Sequence, residues 1–429
     1  MKLKNNKIIF NETEYIISLF LLSLMHPIFG LIMYICLLKL IKKYGVIGAI
    51  KYMIIVTMRS ALSTAVGVSL LSLSNIKLII FILLSLYIIL KTYSRKLTKS
   101  NLICIFCSVF CVYTIIASFI TGSYPITSTF KVLSFGLVFC SVIMGIDFTK
   151  DKIDWLDYLV KCMTPFFIVS IFLIPFSQFR LINENFQGVF NQVNMFSILA
   201  ALYIPLLLNK KLVFRNFNVN IVLIIITISM QYLTASRTGL FVSIIIIIVN
   251  FVLKKHTIFI YFTIGCICFF SYLVYSSNSY IKITVDEELK EYIYKGDTTD
   301  ILFSRREMQK MQEEKYNNNK LIGSGFMMPY ISNYSSLGLE MSLNVEPGNL
   351  IWCLRGDVGI IGTIVFVLFL VSILLFGNFK YLSLLISSIG VCMGEMVFFS
   401  VNSIGILLYV LIAIYLVSCT SNKKRRRLK

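Results

Sequence analysis

The chain has 429 residues, 58% of them hydrophobic and only 14% charged, and a soluble domain of that size cannot hide so much apolar surface. Its formal net charge of +20 would suggest nucleic acid in a soluble protein. Here 22 of the 40 Lys and Arg fall at the two termini or in short connections on one side of a membrane topology, so no nucleic-acid partner is expected.

The composition predicts an all-α, polytopic helical membrane protein, because repeated apolar runs approach the roughly 20 residues that cross a bilayer. Residues 1–14, with Lys2, Lys4 and Lys7, read as cytoplasmic. No cleavable signal peptide is expected, since the first apolar run continues for about 25 residues without a small-residue cleavage site. A first span is expected at 15–38, kinked at His26-Pro27 because proline removes a backbone donor. Residues 39–74 carry Lys42, Lys43, Lys51 and Arg59 among apolar residues and read as an interfacial helix or a poor extra span. Placing them outside, against their charge, keeps every later loop consistent.

Spans are then expected at 75–91, 102–121, 126–146, 159–176, 194–209, 218–235, 237–253, 257–275, 350–376, 381–400 and 403–419, about twelve in all, with both termini cytoplasmic. The connections 91–99, 150–161, 210–215, 254–255 and Lys380 are basic and fall inside, as does the tail with Lys423-Lys424-Arg425-Arg426-Arg427. Residues 151–161 alternate charged and apolar side chains and should begin as an interfacial helix. Cys104, Cys107 and Cys111 have helical spacing but lie mid-span without His or carboxylate company, so they read as core packing rather than metal ligands. The domain plan is a bundle of about nine spans over 1–275, a large extracytoplasmic loop over 276–349, and C-terminal helices with a basic tail over 350–429.

Polarity returns abruptly in that loop, which holds 11 of the 20 acidic residues, interleaved with lysines and arginines. Chemistry on a dissolved or membrane-presented substrate is expected there and at the helix ends beside it. Ser236-Arg237-Thr238-Gly239 lies between two spans, where Ser236 can cap the following helix and leave Arg237 in its first turn. A cation there opposes the helix dipole unless an anion binds the free amides and the guanidinium together. Ser304-Arg305-Arg306-Glu307 matches a capping box opening a helix to about Tyr316, again with arginines in the first turn. Arg180 stands in a third outer segment. Taken singly, each arginine is equally well an anchor for lipid headgroups or a partner for loop carboxylates. Glu395, an intramembrane carboxylate, is a functional candidate or a neutralising partner of an Arg or Lys131. His26 and His256 read as structural, and Trp352 as an interfacial aromatic or a sugar-stacking ring.

Several motifs together resemble the O-antigen ligase and Wzy-type polysaccharide polymerase superfamily. Asn349 followed by Gly359-Ile360-Ile361-Gly362 resembles the stretch after that family's large outer loop. Ser236-Arg237-Thr238-Gly239 resembles its Ser-Arg-x-Gly, and Gly188 to Asn194 its Gly-x-Phe-x-x-x-Asn segment. Arg305 or Arg306 leading to Gly323-Ser324-Gly325 resembles its loop pattern. The resemblance covers roughly 180–375. The family's ligases have a His directly before the Asn, and here that position is Gly348, which favours a polymerase.

The resemblance implies inverting glycosyl transfer at the outer face of the bacterial cytoplasmic membrane. The lack of a His, Asp and Glu cluster with ligand spacing near the outer face motivates a metal-independent mechanism, and no cofactor is expected. It implies a donor glycan on undecaprenyl diphosphate and an acceptor hydroxyl on another lipid-linked repeat. A chain-length regulator and a flippase are the protein partners it implies, alongside membrane lipid. Such a reaction needs cations over the departing diphosphate and a base near the hydroxyl. Arg237, Arg305 and Arg306 suit the first role, and Glu346 and Glu184 are candidates for the second. Arg180, Asn194 and Asn349 are expected with Glu184 among the substrate contacts. Residues 40–75 hold no Asp or Glu, unlike the acidic motif of metal-dependent lipid-linked glycosyltransferases. A flippase or exporter of the same lipid-linked sugar, or a ligase, are the rival readings.

Overall fold

The computed structural model describes residues 13–93, 98–122, 124–179, 185–210, 213–214, 217–253, 306–328 and 348–417. Both chain ends, the expected span at 257–275 and most of the 276–349 loop lie outside the described residues, as do Arg180, Glu184, Arg305 and Glu346. What is described is an all-α membrane protein, with one two-residue hairpin pairing Val213–Phe214 and Phe217–Asn218.

The helices in chain order are α1 (Thr13–Leu22), α2 (Pro27–Tyr44), α3 (Val46–Ser60), α4 (Ser74–Thr92), α5 (Lys99–Thr121), α6 (Pro125–Thr149) and α7 (Trp155–Leu173). There follow α8 (Val193–Asn209), α9 (Asn220–Leu233), α10 (Arg237–Leu253), α11 (Arg306–Asn318), α12 (Leu350–Phe376), α13 (Leu382–Gly390) and α14 (Gly405–Val417). Among the described residues five helices are long and apolar enough to cross a bilayer: α4 with its preceding turn, α5, α6, α7 and α12.

Their outward faces remain apolar. On α4, Ile79, Leu83, Leu86 and Leu90 recur at helical spacing and are 42% to 80% exposed, and Ile364, Val367, Leu368 and Leu375 do the same on α12. Only lipid tails can cover stripes of that kind without cost. The inner helices are apolar on every face. All thirteen residues of α14 are buried, as are 12 of the 15 in α3 and 12 of the 17 in α8. Phe110, Phe135, Phe139, Phe366, Phe398, Phe399 and Tyr409 interlock edge to face at the centre. Cys107 and Cys111 pack into this interior, with Gly136 set against the Cys111 sulfur.

The described parts of the short basic connections gather at one end, here called the lower end. Lys210 pairs with Asp154 at 2.7 Å and with Asp157 at 3.4 Å, Lys161 with Asp157 and Lys150 with Asp147, both at 2.7 Å. Lys99 donates to the Phe376 carbonyl at the foot of α12. Burial works to raise the Asp154 carboxyl, but the Lys210 ammonium and the Asp157 and Leu156 amides outweigh it and hold the group below its usual value.

The first 74 residues differ from expectation. The break at His26-Pro27 is a full stop, not a kink: His26 Nδ1 accepts from the Ile28 amide, and a new helix begins at Pro27. That helix runs on to Tyr44, turns at Gly45 with φ 58°, and returns as the buried α3. Residues 39–74 therefore do not lie together outside the bundle. The Gly45 turn sits at the lower end, where Lys51 lies over the rings of Tyr44 and Tyr158. The 61–70 loop sits at the upper end, where Leu62 bridges Phe190 and the Ser63 amide donates to the Val189 carbonyl. Lys39, Lys42 and Lys43 thus join the other basic turns, in agreement with their charge. Arg59 is 1% exposed, yet its guanidinium is satisfied by Ser23 Oγ and the carbonyls of Ser23 and Val68 at 2.7–2.8 Å.

Candidate active site

Four stretches distant in sequence meet at the upper end. The first runs from Gly188 to Asn194. Gly188 takes φ 57°, and a Cβ there would stand 2.7 Å from Ser170 Oγ, so the turn needs glycine. Phe190 is fully buried against Phe166, Phe167 and Phe196, which fixes the entry to α8. Asn194 is then carried on the first turn of α8, and its Nδ2 donates to Glu395 Oε1 at 2.8 Å.

The second stretch is the α9–α10 corner. Ala235 takes φ 49°, a left-handed conformation uncommon outside glycine, and turns the chain back so that Arg237 begins α10 half-buried. Gln231 ties the corner together: its amide donates to Ser197 of α8 and accepts from Ser243 of α10. Gly394 packs on the residue after Arg237. A Cβ at Gly394 would come within 2.5 Å of Thr238, so α10 starts directly beside Glu395.

The third and fourth stretches are the loop segment 306–328 and the helix that begins at Leu350. Arg306 is exposed at the start of α11, whose far end is anchored in the protein through Lys315. Helix α12 is broken at Gly359, φ 67° and ψ −168°. A broken helix orphans carbonyls above the break and amides below it. The loop supplies both. Ser324 and Gly325 amides donate to the carbonyls of Gly356 and Asp357, Tyr113 donates its hydroxyl to Val358, and the Ile360 and Ile361 amides donate to Lys320 and Leu321. Gly323 and Gly325, at φ 87° and 107°, give the loop the curvature this requires. Lys315 meets Asp357 in a buried ion pair, and Asp357 also accepts from the Met327 amide at 2.7 Å and from the Cys353 thiol. Lys131 donates to the Met327 carbonyl at 2.8 Å, and Phe326 stacks edge-on against Phe399, ring centres 4.8 Å apart.

A cavity of about 100 Å³ opens between the first stretch, the loop and the 395–403 segment, lined by Gln192, Asn194, Glu395, Ser400 and Ser403 with Met327 of the loop among its apolar wall. Asn349 caps α12 through Oδ1 to the Ile351 amide and ties it to the Met393 carbonyl through Nδ2, so its side chain holds the helix start against the 391–395 turn. Of the residues expected from sequence, Arg237, Asn194 and Asn349 are brought around this turn, and Arg306 stands at the far end of α11. Gln192 and Asp357 fall at unspecified positions within the motifs, no motif marks a role for Lys315, Ser400 or Ser403, and the sequence leaves the role of Glu395 open. A proline-free polar cluster after a serine-rich helix is the only signal for Ser400 and Ser403. Among the described residues no three His, Cys, Asp or Glu side chains stand close enough to hold a metal ion. No protein-family model matches the chain, and no curated protein matches it.

Proposed function

We propose that the chain is a Wzy-type polymerase that joins undecaprenyl-diphosphate-linked oligosaccharide repeats by inverting glycosyl transfer. One observation carries this reading: three family-like motifs, at 188–194, 236–239 and 349–362, meet on the turn that holds Glu395, and the fourth, at 306–325, is bonded to 356–361 of α12. In this reading the upper end faces outward across the bacterial cytoplasmic membrane. Residues 276–349 form the large extracytoplasmic loop, and both termini are cytoplasmic. The basic turns of the lower end, with Lys42 and Lys43 now among them, support that orientation. Before residue 74 three helical segments stand where one span and an outer stretch are expected, and an odd number keeps every later segment on its expected side in this reading.

The departing diphosphate carries the developing charge, and arginines at helix starts offer it a fork of donors together with backbone amides. Arg237 and the Arg305/Arg306 pair take that role here, without a metal. The reading is tested by the glycan of a deletion strain. Single repeats left on the lipid carrier support a polymerase. Long chains retained on the carrier point to a ligase, and repeats trapped on the cytoplasmic face to a flippase. Purified protein should keep its activity in chelator.

A further inference from the structure

Resting on that polymerase reading, we infer that Glu395 takes the proton of the acceptor hydroxyl, and that the cavity it shares with Asn194 is the acceptor subsite. The cavity's polar wall is of one chemical kind. A carboxylate, two side-chain amides and two hydroxyls from two separate parts of the chain face a common space. Groups of that kind bind sugar hydroxyls, and no cation lines the cavity among the described residues. Its volume of about 100 Å³ has room for the hydroxyl-bearing edge of one sugar ring. The remainder of a repeat would lie along the upper surface.

Position supports the same assignment. Glu395 follows Gly394, which touches Thr238, the neighbour of Arg237. A carboxylate for the incoming hydroxyl thus stands one residue contact away from the cation proposed for the departing diphosphate. The Asn194 amide donates to Oε1 and fixes the carboxylate's orientation. A carboxylate accepts at about four lone-pair sites, and this bond takes one of them. In the step itself the acceptor oxygen forms a bond to the donor's anomeric carbon. The bond from that carbon to the diphosphate oxygen breaks, and its electron pair leaves with the diphosphate. The hydroxyl proton passes to Glu395, to be released to water afterwards.

The test uses the full chain, purified from membranes, with lipid-linked repeats extracted from the deletion strain. Glu395→Gln should slow chain growth at least ~100-fold, the low end of what a positioned base contributes. Glu395→Asp should retain part of the rate, and Asn194→Ala should lose roughly tenfold by leaving the carboxylate unoriented. All three should reach the membrane at wild-type levels and be stabilised against heat by the same extracted repeats. Chain growth by Glu395→Gln within a few-fold of wild type overturns the inference. So does its disappearance from the membrane, which would make Glu395 a structural counter-ion. If the wild-type protein itself builds no chains, the polymerase reading fails instead.

Discussion

Lys315 and Asp357 form an ion pair that water does not reach: Nζ stands 2.5 Å from Oδ1, and the two side chains are 3% and 1% exposed. One partner belongs to the loop helix and the other to the upper half of α12, so the pair fastens the polar loop to the bundle. Ser324 Oγ reinforces it by donating to the Lys315 carbonyl at 2.7 Å.

Breaking such a pair from one side leaves an uncompensated charge. Asp357→Ala should destabilise the docked loop by about 3–5 kcal/mol, because the ammonium stays in a low-dielectric site. Proteolysis of membranes should then cut between residues 306 and 328, where the wild type resists. Replacing both partners, Lys315→Met with Asp357→Leu, should cost less than Asp357→Ala alone, since the buried charge goes with its partner.

The break in α12 gives a second test. Gly359 at φ 67° lies where an L side chain is strained, and a Cβ there would stand 2.5 Å from the Leu321 backbone. Gly359→Ala should cost at least the roughly 1–3 kcal/mol of such backbone strain and also push the loop away. The thermal inactivation temperature of the detergent-solubilised protein should fall by several degrees, with activity lost before helicity.

Arg237 is expected to matter to the reaction and little to folding. Arg237→Ala should lower chain growth roughly 30- to 1000-fold, the value of about 2–4 kcal/mol for one charge-assisted contact to a departing group. Arg237→Lys should be intermediate, because a point charge replaces a planar fork. Protein levels in the membrane should stay near normal. Normal chain growth in Arg237→Ala and in the double change at Arg305 and Arg306 would make these side chains headgroup anchors only.

Topology can be checked at the two turns that flank α3. Reporters inserted at Gly45 and at Gly67 should report opposite sides of the membrane, with Gly67 on the same side as Asn318. Equal signals at Gly45 and Gly67 would restore a one-sided 39–74 segment.

The lysine pattern alone makes the lower end legible in the sequence, and the order of the glycine-bearing motifs points to the upper one. The first 74 residues are poorly legible for a physical reason. Helix α3 is 15 residues long and carries Lys51 and Arg59, so neither length nor hydropathy marks it as a buried helix. Arg59 is tolerated there because Ser23 and Val68 supply acceptors from other segments, and no local window reports that. The same holds for the site. Glu395 is visible as a carboxylate in an apolar run, but its amide partner is 201 residues away. Asp357 sits inside a recognisable motif while the residue that gives it meaning, Lys315, is 42 positions upstream.

The backbone bonds across the break in α12 also constrain how this protein can vary. Lys320, Leu321, Ser324 and Gly325 each meet a fixed position between Gly356 and Ile361, so this part of the loop works as a gauge cut to one length. A single inserted or deleted residue there would shift every later bond out of register. Chimaeras that exchange the polar loop between relatives should therefore assemble only when 319–328 and 349–362 travel together. Any new specificity obtained in this way would have to be inherited as that pair.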